Sequence, residues 1–310
     1  TMTAIKPPGL KAGDTVGIVA PSSNVNSEML LAGCNELEGL GFKVRFRKDI
    51  YSEHRYVAGS VDRRVQEFRE MLEDPAVSAI FCARGGYGSG QLLEHLSVDE
   101  ILRHPKIFCG SSDITMLLSA FMKAGVVGFY GPMVASTLNK GPVAYNRDLL
   151  VRLLICGEKI VFPAGGTKIL HSGEGEGRLL GGCLSLLVST LGTDWEIDTS
   201  DSVLFVEDIA TKPYQIDRML THLKHAGKFD QIKGLVFGEM MDCGQDLNQG
   251  YEIEDLIGDF SAPFRIPVLF GFPSGHASKA NVVLPLGTRV RLSLTKEVTF
   301  ELLENAVEIV

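Results

Sequence analysis

The chain has 310 residues and a formal net charge of -8, with 45% hydrophobic and 22% charged residues. That length buries a proper core in one large domain or two ordinary ones, and the balance is that of a soluble globular protein, not a disordered one. The acidic balance, with Lys and Arg scattered, excludes nucleic acid as the expected partner, and no stretch nears the ~18–20 unbroken apolar residues of a membrane helix.

In chain order, the opening Thr1-Met2-Thr3-Ala4-Ile5-Lys6-Pro7-Pro8 has no basic segment followed by an apolar core, so it does not read as a secretory signal. Residues 15–20 are an apolar run predicted as a buried strand, ended by Pro21-Ser22-Ser23. Helical spacing over 28–40 stops at Gly41, and a second strand is expected over 43–46. A helix over 61–72 places Val65, Phe68 and Leu72 on one face. Then follow a strand over 79–82, a helix near 91–96, a strand over 107–109, a helix over 115–123 and a strand over 127–130. Such alternation predicts a parallel sheet covered on both faces, with ligands bound beyond the carboxyl ends of its strands.

After about residue 160 the texture changes. Gly165-Gly166 and Gly173-Glu174-Gly175-Glu176-Gly177 read as flexible linker. One strong helix is predicted over 213–225, with strands over 203–206, 234–237, 267–270, 289–294 and 298–302, the last two closing a hairpin around Thr295-Lys296. The expectation is two domains without internal repeat. An α/β domain with a parallel sheet spans 1–165, and a smaller, β-rich α+β domain spans 175–310.

Four segments carry polar residues where apolar strands end. Gly110-Ser111-Ser112-Asp113-Ile114-Thr115 turns a strand directly into a helix, which presents a Ser hydroxyl at the sheet edge beside backbone N–H groups and the positive helix end. The second Gly of Gly-x-Ser-x-Gly is missing, and from local sequence alone Ser112 with Asp113 reads first as a helix cap. Ala83-Arg84-Gly85-Gly86-Tyr87-Gly88-Ser89-Gly90 suits a backbone that comes close to a ligand, as an oxyanion hole or phosphate cradle, or else a tight turn. Glu207-Asp208 ends an apolar strand, either as a fixed acid or as an exposed acidic turn. His276, in Gly271-Phe272-Pro273-Ser274-Gly275-His276, follows a strand in a loop, and the other histidines have no partner motif.

No Walker loop, Gly-x-Gly-x-x-Gly opening or metal-ligand cluster is present, so no cofactor or metal is expected. The six cysteines, Cys34, Cys82, Cys109, Cys156, Cys183 and Cys243, lie singly and read as buried thiols of a cytoplasmic protein.

Together the segments resemble the LD-carboxypeptidase family of serine peptidases, which includes the microcin C self-immunity proteins. The likeness runs in order through Gly17-Ile18-Val19-Ala20-Pro21-Ser22-Ser23, Ala83-Arg84-Gly85-Gly86-Tyr87-Gly88, Gly110-Ser111-Ser112-Asp113-Ile114-Thr115 and Tyr130-Gly131-Pro132-Met133. It continues through Gly181-Gly182-Cys183-Leu184-Ser185, Glu207-Asp208, Pro213-Tyr214-Gln215-Ile216-Asp217-Arg218, and Gly275-His276 leading to Leu284-Pro285-Leu286-Gly287.

The resemblance implies a nucleophile Ser112, a general base His276 and an orienting Glu207, with an oxyanion hole from the N–H groups of Gly86 and Asp113. It implies a flavodoxin-like N-terminal domain carrying the Ser, a β-rich C-terminal domain carrying Glu and His, and a homodimer. The implied substrate is a murein tetrapeptide that loses its terminal D-Ala, with Arg84 a candidate for the substrate carboxylate. Ser111, where the family commonly has Tyr, and Cys183, where Asn is frequent, are candidates to reshape the cleft, and Gln215 stands where Arg is common. Three rivals are open. A microcin-immunity-type hydrolase would cleave aminoacyl-nucleotide amides, with Trp195 either reaching the cleft or anchoring a loop. A silent binding protein would hold an anion in the Gly-rich loop, and a Cys hydrolase would use Cys109 or Cys82, both inside apolar strands where thiols are usually inert.

Overall fold

A computed structural model describes residues 4–244 and 250–309, so the first three residues of the N-terminal stretch lie outside it. Strand β1 (Thr15–Val19) leads to α1 (Ser27–Gly39), whose first turn is capped by the Asn26 side chain accepting from the Met29 amide at 3.0 Å. Then come β2 (Lys43–Phe46), α2 (Val61–Glu73), β3 (Ala79–Cys82), α3 (Val98–Arg103), β4 (Ile107–Gly110), α4 (Thr115–Ala124), β5 (Gly128–Tyr130) and α5 (Arg147–Leu154). Every residue of β3 and β4 is buried, as a sheet covered on both faces requires.

Residues 91–96, expected as a helix, instead form a tighter 3-10 turn over Ser89–His95, and the α-helix of this region is α3. Ser97 and Glu100 start α3 with a reciprocal capping box, a signal that lay one turn beyond the expected helix.

The second half contains β6 (Lys168–His171), β7 (Gly173–Cys183), α6 (Leu184–Ser189), β8 (Ser202–Glu207), α7 (Pro213–His225), β9 (Gly234–Gly238), α8 (Ile253–Ser261) and β10 (Val268–Phe272). It ends with β11 (Leu284–Leu286), β12 (Arg289–Leu294) and β13 (Val298–Leu302). The Gly-Glu alternation over 173–177 is not a linker. It opens β7 and pairs antiparallel with β12, Gly175 facing Leu292 and Glu176 facing Arg291. A period of two explains it. The glutamates point outward, Glu174 accepting from the Ser293 hydroxyl at 2.8 Å and Glu176 meeting Arg289 and Arg291 at 3.3 and 3.1 Å. The glycines face neighbouring backbone, and a Cβ on Gly175 would lie 1.9 Å from the Lys233 carbonyl oxygen.

The first sheet has the order β11-β5-β4-β3-β1-β2, and the second β13-β12-β7-β8-β9-β10-β6. Strands β1 to β5 are parallel in the flavodoxin-like order 2-1-3-4-5. Strand β11 returns from the second half to pair antiparallel with β5, Leu284 opposite Tyr130. In the second sheet β7, β8, β9 and β10 are parallel, with antiparallel β12, β13 and β6 outside them. Phe108 stacks on Phe121 in the first core, and Phe162, Phe272 and Phe300 cluster in the second. Between the sheets, Tyr130 lies 5.7 Å from Phe205, ring centre to ring centre. Five cysteines are buried, but Cys156 is exposed, because it sits in the polar turn after α5.

Candidate active site

The loops that follow β1, β3 and β4 hold Ser22, the Gly-rich segment and Ser112, and β5 ends on Tyr130. Cys183 and Glu207 end β7 and β8 side by side in register, and His276 follows β10. The carboxyl ends of both parallel sheets therefore meet at one place, where open α/β sheets bind ligands.

Ser112 opens a 3-10 turn (Ser112–Ile114) between β4 and α4, with φ of 58°. A left-handed serine is strained and persists only where its surroundings dictate it. Its own amide donates to the Tyr130 hydroxyl at 3.0 Å. The next residue is pinned harder: the buried Asp113 carboxylate accepts from the Ser22 hydroxyl at 2.6 Å and the Ser89 amide at 2.8 Å, and its carbonyl accepts from the Ser89 hydroxyl at 2.6 Å. Neither side chain caps α4, so the capping alternative fails. Asp113 instead ties the loops after β1 and β3 to the Ser112 turn. Gly85 lies against that turn, since a Cβ there would be 3.2 Å from Ser112 Oγ and 3.4 Å from the Asp113 nitrogen. Among the described residues, the amides of Gly86 and Asp113 donate to no protein acceptor.

Glu207 is fully buried, and its two oxygens are divided. Oε2 accepts from the His276 Nδ1 at 2.8 Å and the His276 amide at 3.1 Å, whereas Oε1 accepts from the Tyr130 hydroxyl at 2.5 Å. Gly275 has φ of 77°, and a Cβ there would stand 2.6 Å from Glu207 Cδ, so only glycine lets the loop wrap the carboxylate. Facing a carboxylate, Nδ1 carries the ring proton, which leaves Nε2 as the basic nitrogen. Burial pulls the His276 pKa down, but the hydrogen bond and charge of Glu207, with Asp208 behind it, outweigh burial and raise it above the ordinary 6.5. Among the described residues no hydrogen bond joins Ser112 to His276; their connection runs through Tyr130 and Glu207.

The chain matches the LD-carboxypeptidase N-terminal domain over residues 16–131 and the LD-carboxypeptidase C-terminal domain over residues 176–292. It belongs to the LD-carboxypeptidase family. A probable murein peptide carboxypeptidase of Bacillus subtilis is 36% identical over 296 residues, covering 94% of this chain and 92% of the relative. A solved muramoyltetrapeptide carboxypeptidase from Oxalobacter formigenes is 28% identical with a TM-score of 0.83, covering 95% of this chain and 99% of that one. An MccF-like protein from Bacillus anthracis, also solved, is 27% identical with a TM-score of 0.88, covering 97% and 100%. With the family comes the class of enzyme, a serine-type carboxypeptidase that hydrolyses its substrate.

The remaining expected residues fall in different places. Arg84 is half-buried, donates to the Asn24 carbonyl at 3.2 Å and has no carboxylate partner among the described residues. Ser111 is buried, with its carbonyl spent on the Ile114 amide. Cys183 lies beside Glu207, and burial, then the charges of Glu207 and Asp208, pushes its thiol far up. Burial does the same to Cys82 and Cys109, which removes the thiolate that a Cys hydrolase needs. Gln215 accepts from the Lys212 amide at 3.0 Å and serves the start of α7. Trp195 packs under Lys123, 5.9 Å from Nζ to ring centre, in the last turn of α4. That is the opposite end from Ser112, roughly 12 Å along the helix axis, so Trp195 anchors a loop. Tyr130, Ser22, Ser89 and Thr115, whose Oγ1 accepts from the Cys183 amide at 3.0 Å, had no assigned role in the sequence. Each lay in a segment singled out in the sequence, but its own signal was no more than a polar residue closing an apolar strand or following one. The described residues contain no group of three metal-binding side chains and no helix long and apolar enough to cross a membrane.

Proposed function

We propose that this enzyme releases terminal D-Ala from murein tetrapeptides by cleaving the L,D-amide bond, with Ser112, His276 and Glu207 as its triad. The observation that carries the reading is the buried Glu207 holding His276 by Nδ1, at the strand exits where a strained Ser112 is presented. His276 Nε2 takes the hydroxyl proton as Ser112 Oγ adds to the scissile carbonyl carbon, and Glu207 stabilises the imidazolium. The free amides of Gly86 and Asp113 receive the oxyanion, an effect worth roughly 3–4 kcal/mol for one donor in comparable sites. The proton then passes to the departing D-Ala nitrogen, and water hydrolyses the acyl-enzyme by the same steps. That Arg84 has no carboxylate partner among the described residues supports it as the group that meets the carboxylate of the substrate.

The names of the Bacillus subtilis and Oxalobacter relatives support the murein substrate. A microcin-immunity-type activity on aminoacyl-nucleotide amides would not find its stacking group in Trp195, which packs at the far end of α4. By family resemblance the enzyme is a cytoplasmic homodimer, which sedimentation at assay concentration checks. Ser112→Ala is expected to abolish D-Ala release from a murein tetrapeptide while leaving the thermal transition in place. Turnover that survives in the folded variant overturns the nucleophile assignment, and faster turnover of an aminoacyl sulfamoyl adenosine than of the tetrapeptide by the unaltered enzyme overturns the substrate.

A further inference from the structure

Between the nucleophile and the acid stands a side chain that no step of the proposed mechanism uses. Tyr130 closes β5, is fully buried, and places its hydroxyl between two parts of the site that belong to different sheets. A phenol has one proton and accepts through its lone pairs. The Ser112 amide brings its own proton to Tyr130 Oη, so the phenol proton goes to Glu207 Oε1. The direction of both bonds is fixed. Burial, then the charge of Glu207, drives the phenol pKa far up, so Tyr130 remains a neutral donor at any working pH.

We propose that Tyr130 is a positioning residue that couples the two sheets. Its hydroxyl sets the left-handed turn of Ser112 with one bond and the charge and orientation of the Glu207 carboxylate with the other. The inference rests on the triad reading, but it concerns a group that touches neither substrate nor reacting atoms. Removing the hydroxyl frees the strained amide and returns negative charge density to Glu207, which then stabilises the His276 imidazolium more strongly. Among the described residues, the charges that raise the His276 pKa are those of Glu207 and Asp208, both in or directly after β8.

The test reads His276 directly. In ¹⁵N NMR titrations of the full chain, Tyr130→Phe is expected to raise the imidazole pKa by about half a unit or more. Replacing Tyr130 by 3-fluorotyrosine strengthens the donor without changing the shape of the site and is expected to lower it. On a murein tetrapeptide, Tyr130→Phe should reduce kcat about tenfold to a hundredfold and leave KM within about twofold, the mark of lost alignment and not of lost binding. A residue with only a packing role would lower the folded fraction and leave the His276 titration alone. The proposal is overturned if that titration is unmoved in either folded protein, and the fluorotyrosine protein decides the matter should Tyr130→Phe not fold. Neither titration depends on Ser112 being the nucleophile, so a failed Ser112→Ala test and a failure here remain distinct results.

Discussion

At the scale of single residues, the site is governed by how Glu207 is shared. One oxygen serves His276 and the other serves Tyr130, so the buried carboxylate has a partner on each side. The His276 pKa is the resultant of burial, which lowers it, and Glu207 with Asp208, which raise it further. A base must be neutral to accept a proton, so kcat/KM should fall with decreasing pH through a pKa above 6.5. Glu207→Gln deletes the raising charge and leaves burial, so this acidic limb should move below its position in the unaltered enzyme. The same variant should lose roughly 10³–10⁴-fold in kcat, as an amide no longer stabilises the imidazolium. A limb that stays in place or moves up in Glu207→Gln would show that another group titrates there. Ser112, Glu207 and His276 were each legible as polar residues where apolar strands end. Tyr130 was not, because its partners lie 18 and 77 residues away and nothing local marks a buried hydroxyl for them.

At the scale of elements, the first half follows its apolar periodicity closely, and the departures have local physical causes. The turn over Ser89–His95 stays 3-10 because its backbone is bound to the site, with the Ser89 amide and hydroxyl committed to Asp113. Strand β7 is the more instructive case. Glycine is the usual mark of open chain, yet here its small size lets neighbouring backbone close in, while each glutamate finds Ser293, Arg289 or Arg291 on β12. The alternation itself was visible; the composition hid it. If the strand is as described, Gly175→Ala must push the Lys233 carbonyl away and should cost about 2–3 kcal/mol. Urea unfolding measures this as a lower midpoint at unchanged slope. A change within about 0.5 kcal/mol, the usual range for an open surface position, would contradict the pairing of this segment.

At the scale of the molecule, the halves are joined by β11, which leaves the second half to cover β5, and by Tyr130, which reaches from the first sheet to an acid of the second. A fragment of residues 1–165 lacks β11, so the β5 edge and the apolar face under Leu284 and Leu286 are exposed. Such a fragment is expected to aggregate or to unfold without a cooperative transition, as calorimetry and size-exclusion chromatography would register. A monomer that melts cooperatively at the temperature of the full chain would mean that the first sheet is complete without its returning strand. The sequence by itself determined the alternation of strands and helices in the first half and the polar residues set at strand exits. Those features are local, because they follow from periodicity, β-branching and caps within a few residues. Only the tertiary structure decided that the exits of both sheets face each other, that Asp113 is a tether and not a cap, and that one phenol lies between Ser112 and Glu207. Each of these depends on contacts across long stretches of chain, where the choice of partner is set by the packing of whole sheets and not by the residues on either side.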